Sequence, residues 1–347
     1  MSYKQMTGNI ISATKVEPDG KFITSAASGV WSLQEQYDYA KGANWPSQAN
    51  GPVPRGIFMG GYNNLNTIDF IQIGTLGNAT DFGNLSSGQG RGAGVSSATR
   101  SLTGGGSIAG TSHTNRIEFI TIASTGNASD FGNLSNARRD TGGANNSTRG
   151  IFYSGHNNDG NSNWNTIDYI TIASEGDATD FGDTSIPRGN VTHGINSPTR
   201  GVFAGGYSES AGNKNTIDYV TIGSTGNTTD FGDLVGAAYS LGGASSSTRG
   251  LAFGPISGAS VNVTIQYITI ASTGNTADFG DLTVASESAS GVSSNIRAVV
   301  GNRNLSGNSN VLDFVTIAST GNATDFGDST QARGASSAGS NSHGGLQ

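Results

Sequence analysis

One string of residues returns six times along this chain at a nearly constant distance. The tripeptide Asp-Phe-Gly starts at Asp81, Asp130, Asp180, Asp230, Asp278 and Asp325, with spacings of 49, 50, 50, 48 and 47 residues. Each copy ends a longer shared string, as in TIDYITIASEGDATDFGD at 166–183. Self-similarity at such a period is the signature of a repeat architecture. The chain is therefore expected to build its fold from six similar units.

One period predicts four short strands. The first is a small-residue strand at 141–146, the second is the apolar run GIFYSG at 150–155, and the third is the alternating TIDYITIA at 166–173. The fourth carries the Asp-Phe-Gly at 180–182. Four strands in about 50 residues suit a propeller blade better than a solenoid repeat, which is usually shorter.

The two ends of the repeat region complement each other. Residues 54–83 hold only strands two to four of a blade, and QARGASSAGSNSHGG at 331–345 looks like a lone first strand. A C-terminal first strand that completes the N-terminal blade would close the ring and remove both sheet edges. The expected fold class is all-β: a six-bladed β-propeller over 54–347, closed by the C-terminal strand and preceded by a short mixed attachment segment at 1–53.

The order of the strands resembles the kelch repeat. Kelch blades have a second strand that ends in a glycine doublet, a third strand with an aromatic residue, and an aromatic anchor in the fourth strand. The corresponding residues here are the doublets 60–61 and 205–206, a doublet at 104–105 near the equivalent place, and Tyr169, Tyr219 and Tyr267. The fourth-strand anchor is Phe where kelch more often has Trp, and the doublet is broken at 154–155, 254–255 and 301–302. The resemblance covers 54–347 and implies a kelch-like propeller.

Charged residues recur in every blade. An arginine precedes each second strand, at Arg55, Arg100, Arg149, Arg200, Arg249 and Arg297. Because the first and third turns of a four-stranded meander lie at the same end, we expect each arginine to form an ion pair with the aspartate of Asp-Phe-Gly. A ring of charges for a ligand is the alternative. We expect the Phe to pack between blades and the following Gly to allow close backbone approach.

The blades differ most in the loop between the second and third strands, at 62–66, 107–115, 156–165, 207–215, 255–263 and 302–310. These loops should share one face with the connections between blades, and loops on a rigid scaffold often bind ligands. The candidate ligand-binding residues are Tyr62, Asn63, His156, Asn157, Trp164, Tyr207, Lys214 and Arg303. Aromatic rings beside amides suit a carbohydrate, since a ring stacks on the sugar and an amide bonds its hydroxyls. Drift in loops without a function is the alternative.

The composition argues against several kinds of chemistry. The chain has no cysteine, so it has no disulfides and no thiolate site, and it lacks the cysteine that the copper site of galactose oxidase, a kelch-type enzyme, requires. The segment 156–163 resembles a calcium loop only faintly, because it lacks the distal bidentate Glu. The four histidines do not recur in a ligand spacing. We expect no catalysis, no cofactor and no metal site.

The charge distribution argues against nucleic acid as a partner. The net charge is −7, and in 54–347 one Lys and 13 Arg stand against 21 acidic residues. Affinity for phosphates rests on clustered positive charge. No stretch approaches about 20 apolar residues, so we expect no membrane insertion. The N-terminus shows no secretory signal.

Residues 1–53 lie outside the repeat. The stretch 31–46 predicts a short amphipathic helix that Ser32 caps. A helix of this length is marginal alone, so we expect it to dock on a partner; packing on the propeller of its own chain is the alternative. The candidate anchoring residues are Trp31, Leu33, Tyr37 and Trp45.

The segment SAASGVWSLQEQYDYAKGANWP at 25–46, together with the repeats, resembles structural proteins of marine bacteriophages, especially cyanophages. The resemblance implies a virion protein, exposed on the particle as a homo-oligomer, whose residues 1–50 bind other virion proteins. Our first hypothesis is a tail-fibre or baseplate-associated adhesin that binds a host-surface polysaccharide. A capsid or neck decoration protein is the second. A polysaccharide depolymerase is the third, and it would need paired carboxylates about 5–9 Å apart.

Removal of residues 329–347 is predicted to make the protein aggregate, because the closing strand would be lost and both sheet edges would be open. Size-exclusion chromatography and thermal melting of the truncated chain measure this. A truncated protein that stays monomeric with unchanged melting would contradict closure by the C-terminal strand.

Overall fold

The computed structural model describes residues 53–346, except for 64, 109–111, 158–161, 255–261 and 304–306. The described residues form an all-β, six-bladed propeller, as the repeat predicted. The helix predicted at 31–46 and the anchoring residues Trp31, Leu33, Tyr37 and Trp45 lie outside the described residues. In the described part of the chain, no helix is long and apolar enough to cross a bilayer.

Each blade is an antiparallel meander of four main strands. In chain order the strands are β1 (Arg55–Gly61), β2 (Leu65–Gln72), β3 (Thr80–Asn84), β4 (Ala93–Ser96), β5 (Arg100–Gly104), β6 (Ser107–Ile108), β7 (Ser112–His113), β8 (Arg116–Thr121), β9 (Ser129–Asn133), β10 (Gly142–Asn145), β11 (Arg149–His156), β12 (Asn163–Thr171), β13 (Thr179–Asp183), β14 (Ile195–Asn196), β15 (Arg200–Ala204), β16 (Tyr207–Ser208), β17 (Gly212–Thr221), β18 (Thr229–Ala238), β19 (Gly242–Ser245), β20 (Arg249–Phe253), β21 (Asn262–Thr269), β22 (Ala277–Ser286), β23 (Ser290–Ser293), β24 (Arg297–Gly301), β25 (Ser309–Thr316), β26 (Thr324–Arg333) and β27 (Ser337–Ser340). From the axis outward, the blades are β27-β1-β2-β3, β4-β5-β8-β9, β10-β11-β12-β13, β14-β15-β17-β18, β19-β20-β21-β22 and β23-β24-β25-β26. We number them one to six in this order.

The C-terminal strand closes the ring, as expected. Strand β27 pairs antiparallel with β1, so that Ser340 lies opposite Gly56 and Ser337 lies opposite Met59. The inner strands then follow one another around the axis, with β27 between β23 and β4. The first blade is thus assembled from both ends of the repeat region.

The hydrophobic core is divided among the seams between neighbouring blades. In the seam between blades two and three, Phe131 and Leu134 pack with Phe152 and Ile170 of the next blade. The Phe of each Asp-Phe-Gly is buried in such a seam. Its ring meets the third-strand aromatic of its own blade edge to face, as between Tyr169 and Phe181 at 6.0 Å. The expected packing of this Phe between blades is confirmed.

The glycine after this Phe lets two blades approach closely. A Cβ on Gly83 would lie 2.3 Å from the carbonyl oxygen of Gly126 in the next blade. The Gly126 N–H donates to the Phe82 carbonyl at 2.8 Å, and Asn127 Oδ1 accepts from the Asn84 N–H at 3.0 Å. The same contacts recur at the other five seams. The string between the third and fourth strands therefore repeats because it forms the seam.

A buried polar residue of the third strand also lies in each seam; the set is Asp69, Glu118, Asp168, Asp218, Gln266 and Asp313. A carboxylate without water needs charged and hydrogen-bonding partners. Asp168 Oδ2 accepts from Arg138 at 2.9 Å and from the Ser135 N–H and hydroxyl at 3.0 and 2.9 Å. Both charged side chains of this pair are fully buried.

Each buried acid in these seams has an arginine as its ion-pair partner. Arg188 binds Asp218 at 3.2 Å, Arg333 binds Asp69, and Arg116 binds Glu118 at 3.1 Å. In blade five the acid is replaced by Gln266, and Ala238 stands where Arg138 and Arg188 stand in other blades. The acid and the arginine are thus lost together.

The predicted ion pair between the arginine before the second strand and the Asp-Phe-Gly aspartate is wrong. The Arg149 guanidinium instead lies 4.4 Å from the centroid of the Tyr169 ring and donates to the Ile222 carbonyl of the next blade at 2.9 Å. All six arginines make these two contacts. Asp180 is exposed because adjacent side chains of a strand point to opposite faces and Phe181 takes the buried one. A charge on the outermost strand discourages pairing between sheet edges.

The end of the axis that carries the turns between first and second strands is closed by the C-terminal residues. Polar side chains at the ends of the inner strands hydrogen-bond around the axis; they are Ser96, Asn145, Asn196, Ser245, Ser293 and Ser340. His343 packs against this ring, 5% exposed. Its Nδ1 accepts from the Gly345 N–H at 3.0 Å, in the chain that leads into the 3-10 turn Gly344–Leu346.

Replacing Asp168 by Asn is expected to lower the free energy of unfolding by about 3–5 kcal/mol, because Arg138 would remain buried with its charge uncompensated. Chemical denaturation measures the loss. Asp180→Asn, at the exposed aspartate of the same blade, is the matched control and should change stability by less than about 0.5 kcal/mol. The double variant Asp168→Gln/Arg138→Ala has the residues that blade five has at these positions. Its free energy of unfolding should fall by less than that of Asp168→Asn. Equal losses in Asp168→Asn and Asp180→Asn would contradict the importance of the buried pair.

Acidification is expected to destabilise the fold through His343. Burial lowers the pKa of this imidazole from its usual 6.5 to about 4, so in that interval the unfolded chain binds a proton that the folded chain does not. Above pH 6.5 His343 does not reduce the free energy of unfolding, because it is neutral in both states. At pH 5 its protonation in the unfolded chain lowers the free energy of unfolding by about 2 kcal/mol. Denaturant titrations at pH 7 and pH 5 measure it. His343→Gln should show a shallower pH dependence, and an unchanged one would disprove this role.

Candidate functional site

The six blades have similar sequences at one end of the propeller and different sequences at the other. At one end lie six similar turns between the third and fourth strands, at 75–80, 124–129, 174–179, 224–229, 272–277 and 319–324. We call this the turn end. At the other end lie the loops between the second and third strands and the connections between blades, and we call this the loop end. Bridges between Gly90 and Ser107 and between Arg139 and His156 join loops to connections. The expectation that these two sets share one face is confirmed.

A closed ring of backbone hydrogen bonds lies at the axis near the loop end. It is formed by Arg91, Asp140, Asn190, Ser240, Ser288 and Ala335, each of which donates its N–H to the carbonyl of the preceding member at 2.8–2.9 Å. All six have positive φ, from 51° to 62°, a conformation that non-glycine residues adopt rarely. The seam residues repeat, whereas this ring contains five different residue types in its six positions.

Two arginines share one carboxylate beside this ring. Arg91 NH1 and Arg139 Nε each lie 3.3 Å from Asp140 Oδ2. The Asp140 side chain is 5% exposed, while those of Arg91 and Arg139 are 30% and 28% exposed. Burial acts to lower the pKa of Arg91, but Asp140 and Tyr62 together raise it above its usual value. The Arg91 guanidinium therefore stays charged, and both guanidiniums are partly exposed beside a buried counterion.

Tyr62 holds Arg91 from the other side. The Arg91 guanidinium lies 5.0 Å from the centroid of the Tyr62 ring. The Tyr62 hydroxyl is 3.0 Å from that of Ser288, a member of the axial ring. Tyr62 thus connects the loop of blade one to the axis.

His156 extends the polar network toward blade four. Its Nε2 lies 3.3 Å from Asn190 Nδ2 and 3.9 Å from Asp140 Oδ2, and its Nδ1 lies 3.2 Å from Glu209 Oε1. Burial lowers the pKa of His156, and the two carboxylates act in the opposite direction. The Tyr207 ring is 6.3 Å from the imidazole. Hydrogen bonds and charges therefore connect the loops of blades one, three and four.

The structure brings together some of the candidate ligand-binding residues. Tyr62, His156 and Tyr207 belong to the network, and Asn63 is exposed beside Tyr62. The others at the loop end are Asn157, Trp164 and Lys214, which are half-buried. The Lys214 ammonium donates to the Ala211 carbonyl at 3.0 Å. The indole N–H of Trp164 is buried without a partner among the described residues.

Arg303 does not belong to this surface. Its side chain is fully buried and binds Asp313 at 2.7 Å, so it contacts the seam and not a ligand. Its NH1 also donates to the Val284 carbonyl of blade five at 2.9 Å. The connection into blade six has Ser286 where Arg138 stands in the earlier connection, so an arginine from the loop neutralises the buried acid there.

Sequence reasoning missed Arg91, Arg139, Asp140 and Asn190. They lie in the connections between blades, just before the small-residue inner strands. The signal is present in the sequence, because the ring position that Arg91, Asp140 and Asn190 occupy holds five different residue types in the six aligned repeats. Among the residues that the structure describes, no group of three or more His, Asp or Glu side chains is placed to hold a metal ion.

No protein-family model matches the chain, and no curated protein is significantly similar to it.

Proposed function

We propose that this protein is a non-catalytic bacteriophage virion protein, a tail-fibre or baseplate-associated adhesin whose loop end binds a glycan of the host surface. In this proposal residues 1–53 attach the chain to other virion proteins, and the propeller is exposed on the particle as part of a homo-oligomer. The observation that carries the proposal is the contrast between the two ends of the propeller.

The repeated residues and the varied residues have different tasks in this proposal. The turn-end strings form the seams, as the contacts of Gly83 and Gly126 show, and so they cannot vary freely. The loop end carries aromatic, amide and charged side chains that differ between blades. A rigid scaffold with varied loops at one end is the usual arrangement of a binding protein.

The chemistry of the loop end suits a glycan. Aromatic rings of Trp164 and Tyr207 can stack on a sugar, and Asn63 and Asn157 can bond its hydroxyls. A depolymerase would need two carboxylates free to flank a glycosidic bond. Asp140 is instead buried and held by two arginines, which favours binding over hydrolysis.

The assignment to a virion rests on the N-terminal segment and the repeats. The string at 25–46 and the Asp-Phe-Gly repeats resemble structural proteins of marine bacteriophages. An adhesin needs one part that attaches to the particle and another that faces the host, and we assign these roles to residues 1–53 and to the repeat region.

Replacing Trp164 or Tyr207 by Ala is expected to weaken binding to a surface glycan about tenfold, because a stacking platform would be lost. Binding of the full-length protein to a panel of bacterial surface polysaccharides, followed by calorimetry on the best ligand, measures this. Thr125→Ala, at an exposed turn of the turn end, is the control and should bind as the unmodified protein does. Equal weakening by all three variants, or no binding to any polysaccharide, would contradict a glycan site at the loop end.

Immunogold electron microscopy of intact particles, with an antibody against residues 54–347, tests the location. Label on the tail or its fibres is the expected result. Label spread over the capsid would favour a decoration protein, and particles without label would remove the virion assignment.

A further inference from the structure

An open pocket of about 230 Å³ lies at the loop end between blades one, two and three. It is lined by Gly61, Tyr62, Asn63, Gly90, Arg91, Ser107 and Arg139. Its volume is below the roughly 300–1,000 Å³ of pockets for drug-sized ligands. The pocket therefore suits a small group, such as one sugar ring with its substituent.

The pocket is positively charged although the protein is acidic overall. Of the seven described residues that line it, two are arginines and none is acidic. Their shared counterion, Asp140, lies behind them, nearly inaccessible to solvent. Two guanidiniums against one carboxylate leave a net charge of +1 at the pocket wall. Glu287 also lies near enough to interact with Arg91 but does not line the pocket; burial raises the pKa of its carboxyl, and Arg91 acts in the opposite direction.

The pocket has unused hydrogen-bond donors. A guanidinium carries five N–H donors. The Arg139 Nε lies 3.3 Å from Asp140 Oδ2 but makes no hydrogen bond. The two terminal nitrogens of Arg139 have no acceptor among the described residues. The Ser107 hydroxyl, which also lines the pocket, is buried and has no hydrogen-bond partner in the described part of the chain. Buried polar groups are normally paired, and this unpaired one belongs to a residue that lines the pocket.

One face of the Tyr62 ring is covered by another side chain of the protein. Arg91 covers that face at 5.0 Å, and the hydroxyl is engaged with Ser288. Tyr62 therefore positions Arg91 at the pocket. The recognition in this pocket falls to the charged groups and to Asn63.

We propose that this pocket binds the carboxylate of an acidic sugar, with Arg139 and Arg91 as the cations that contact it. The planar guanidinium fork matches the two oxygens of a carboxylate. A net charge of +1 matches one carboxylate, whereas a phosphate monoester carries more negative charge than the pocket would neutralise. This assignment rests on the proposed function, since it names the class of glycan that the loop end selects.

The test is calorimetry on the full-length protein with four probes: a trimer of galacturonic acid, the methyl ester of that trimer, N-acetylneuraminic acid, and galactose 6-phosphate. The ester keeps the size and the hydroxyls but removes the charge. We expect at least one acidic probe to bind and the ester to bind at least tenfold more weakly.

The matched variants are Arg139→Gln and Arg100→Gln. Both remove one partly exposed arginine charge, the first in the pocket and the second at the turn end. We expect Arg139→Gln to weaken binding of the acidic probe at least tenfold, Arg139→Lys to restore part of it, and Arg100→Gln to leave it unchanged. Thermal melting confirms that each variant is folded, and Asp140 keeps Arg91 as a partner in Arg139→Gln.

The outcomes separate this assignment from the function on which it rests. Equal binding of the ester and the acid, tighter binding of galactose 6-phosphate than of the acids, or binding of neutral polysaccharides alone would overturn the carboxylate assignment and leave a glycan-binding loop end. Failure of every acidic, phosphorylated and neutral glycan to bind would overturn both.

Discussion

Each blade is joined to its neighbour by a polar residue that the third strand buries in the seam between them. A propeller blade has no core of its own, because both faces of its sheet are covered only by adjacent blades. Asp168 shows what this requires: its carboxylate binds Arg138 and also the Ser135 backbone of the preceding blade. Blade five, with Gln266 and without the arginine, shows that the seam forms without charge. The requirement is that a buried acid be compensated, and a loop arginine meets it in blade six.

The remaining seam contacts explain why the repeat sequence is regular at the turn end and variable at the loop end. The Phe, the following Gly and the glycine of the next turn fit together as one contact, in which a Cβ on Gly132 would lie 2.3 Å from the Gly176 carbonyl oxygen. A change in any of them would disturb two blades. The loops between the second and third strands take no part in that contact. Variation is therefore confined to the loop end by the packing of the scaffold.

The sequence predicted the number of blades, the strand order and the closure, because these follow from the period and from the alternation of TIDYITIA. It did not predict the partners of the charged residues. Arg149 and Asp180 were expected to meet because their turns lie at the same end. They do not meet, because Phe181 occupies the buried face of its strand and directs its neighbour to solvent. Arg303 looked like a free loop residue, and only the position of Asp313 shows that it neutralises a seam.

The ring at the axis gives an independent reason to place function at the loop end. Its six residues have φ between 51° and 62°, where glycine is the least strained residue. None of the six is glycine, in a chain with 54 glycines, and two of them are Arg91 and Asp140. Backbone strain of this kind is held by surrounding structure and clusters at functional sites. The ring of backbone hydrogen bonds supplies that support here, so the strained positions can present side chains around the axis. Those side chains include the acid and one of the two arginines on which the loop-end network is built.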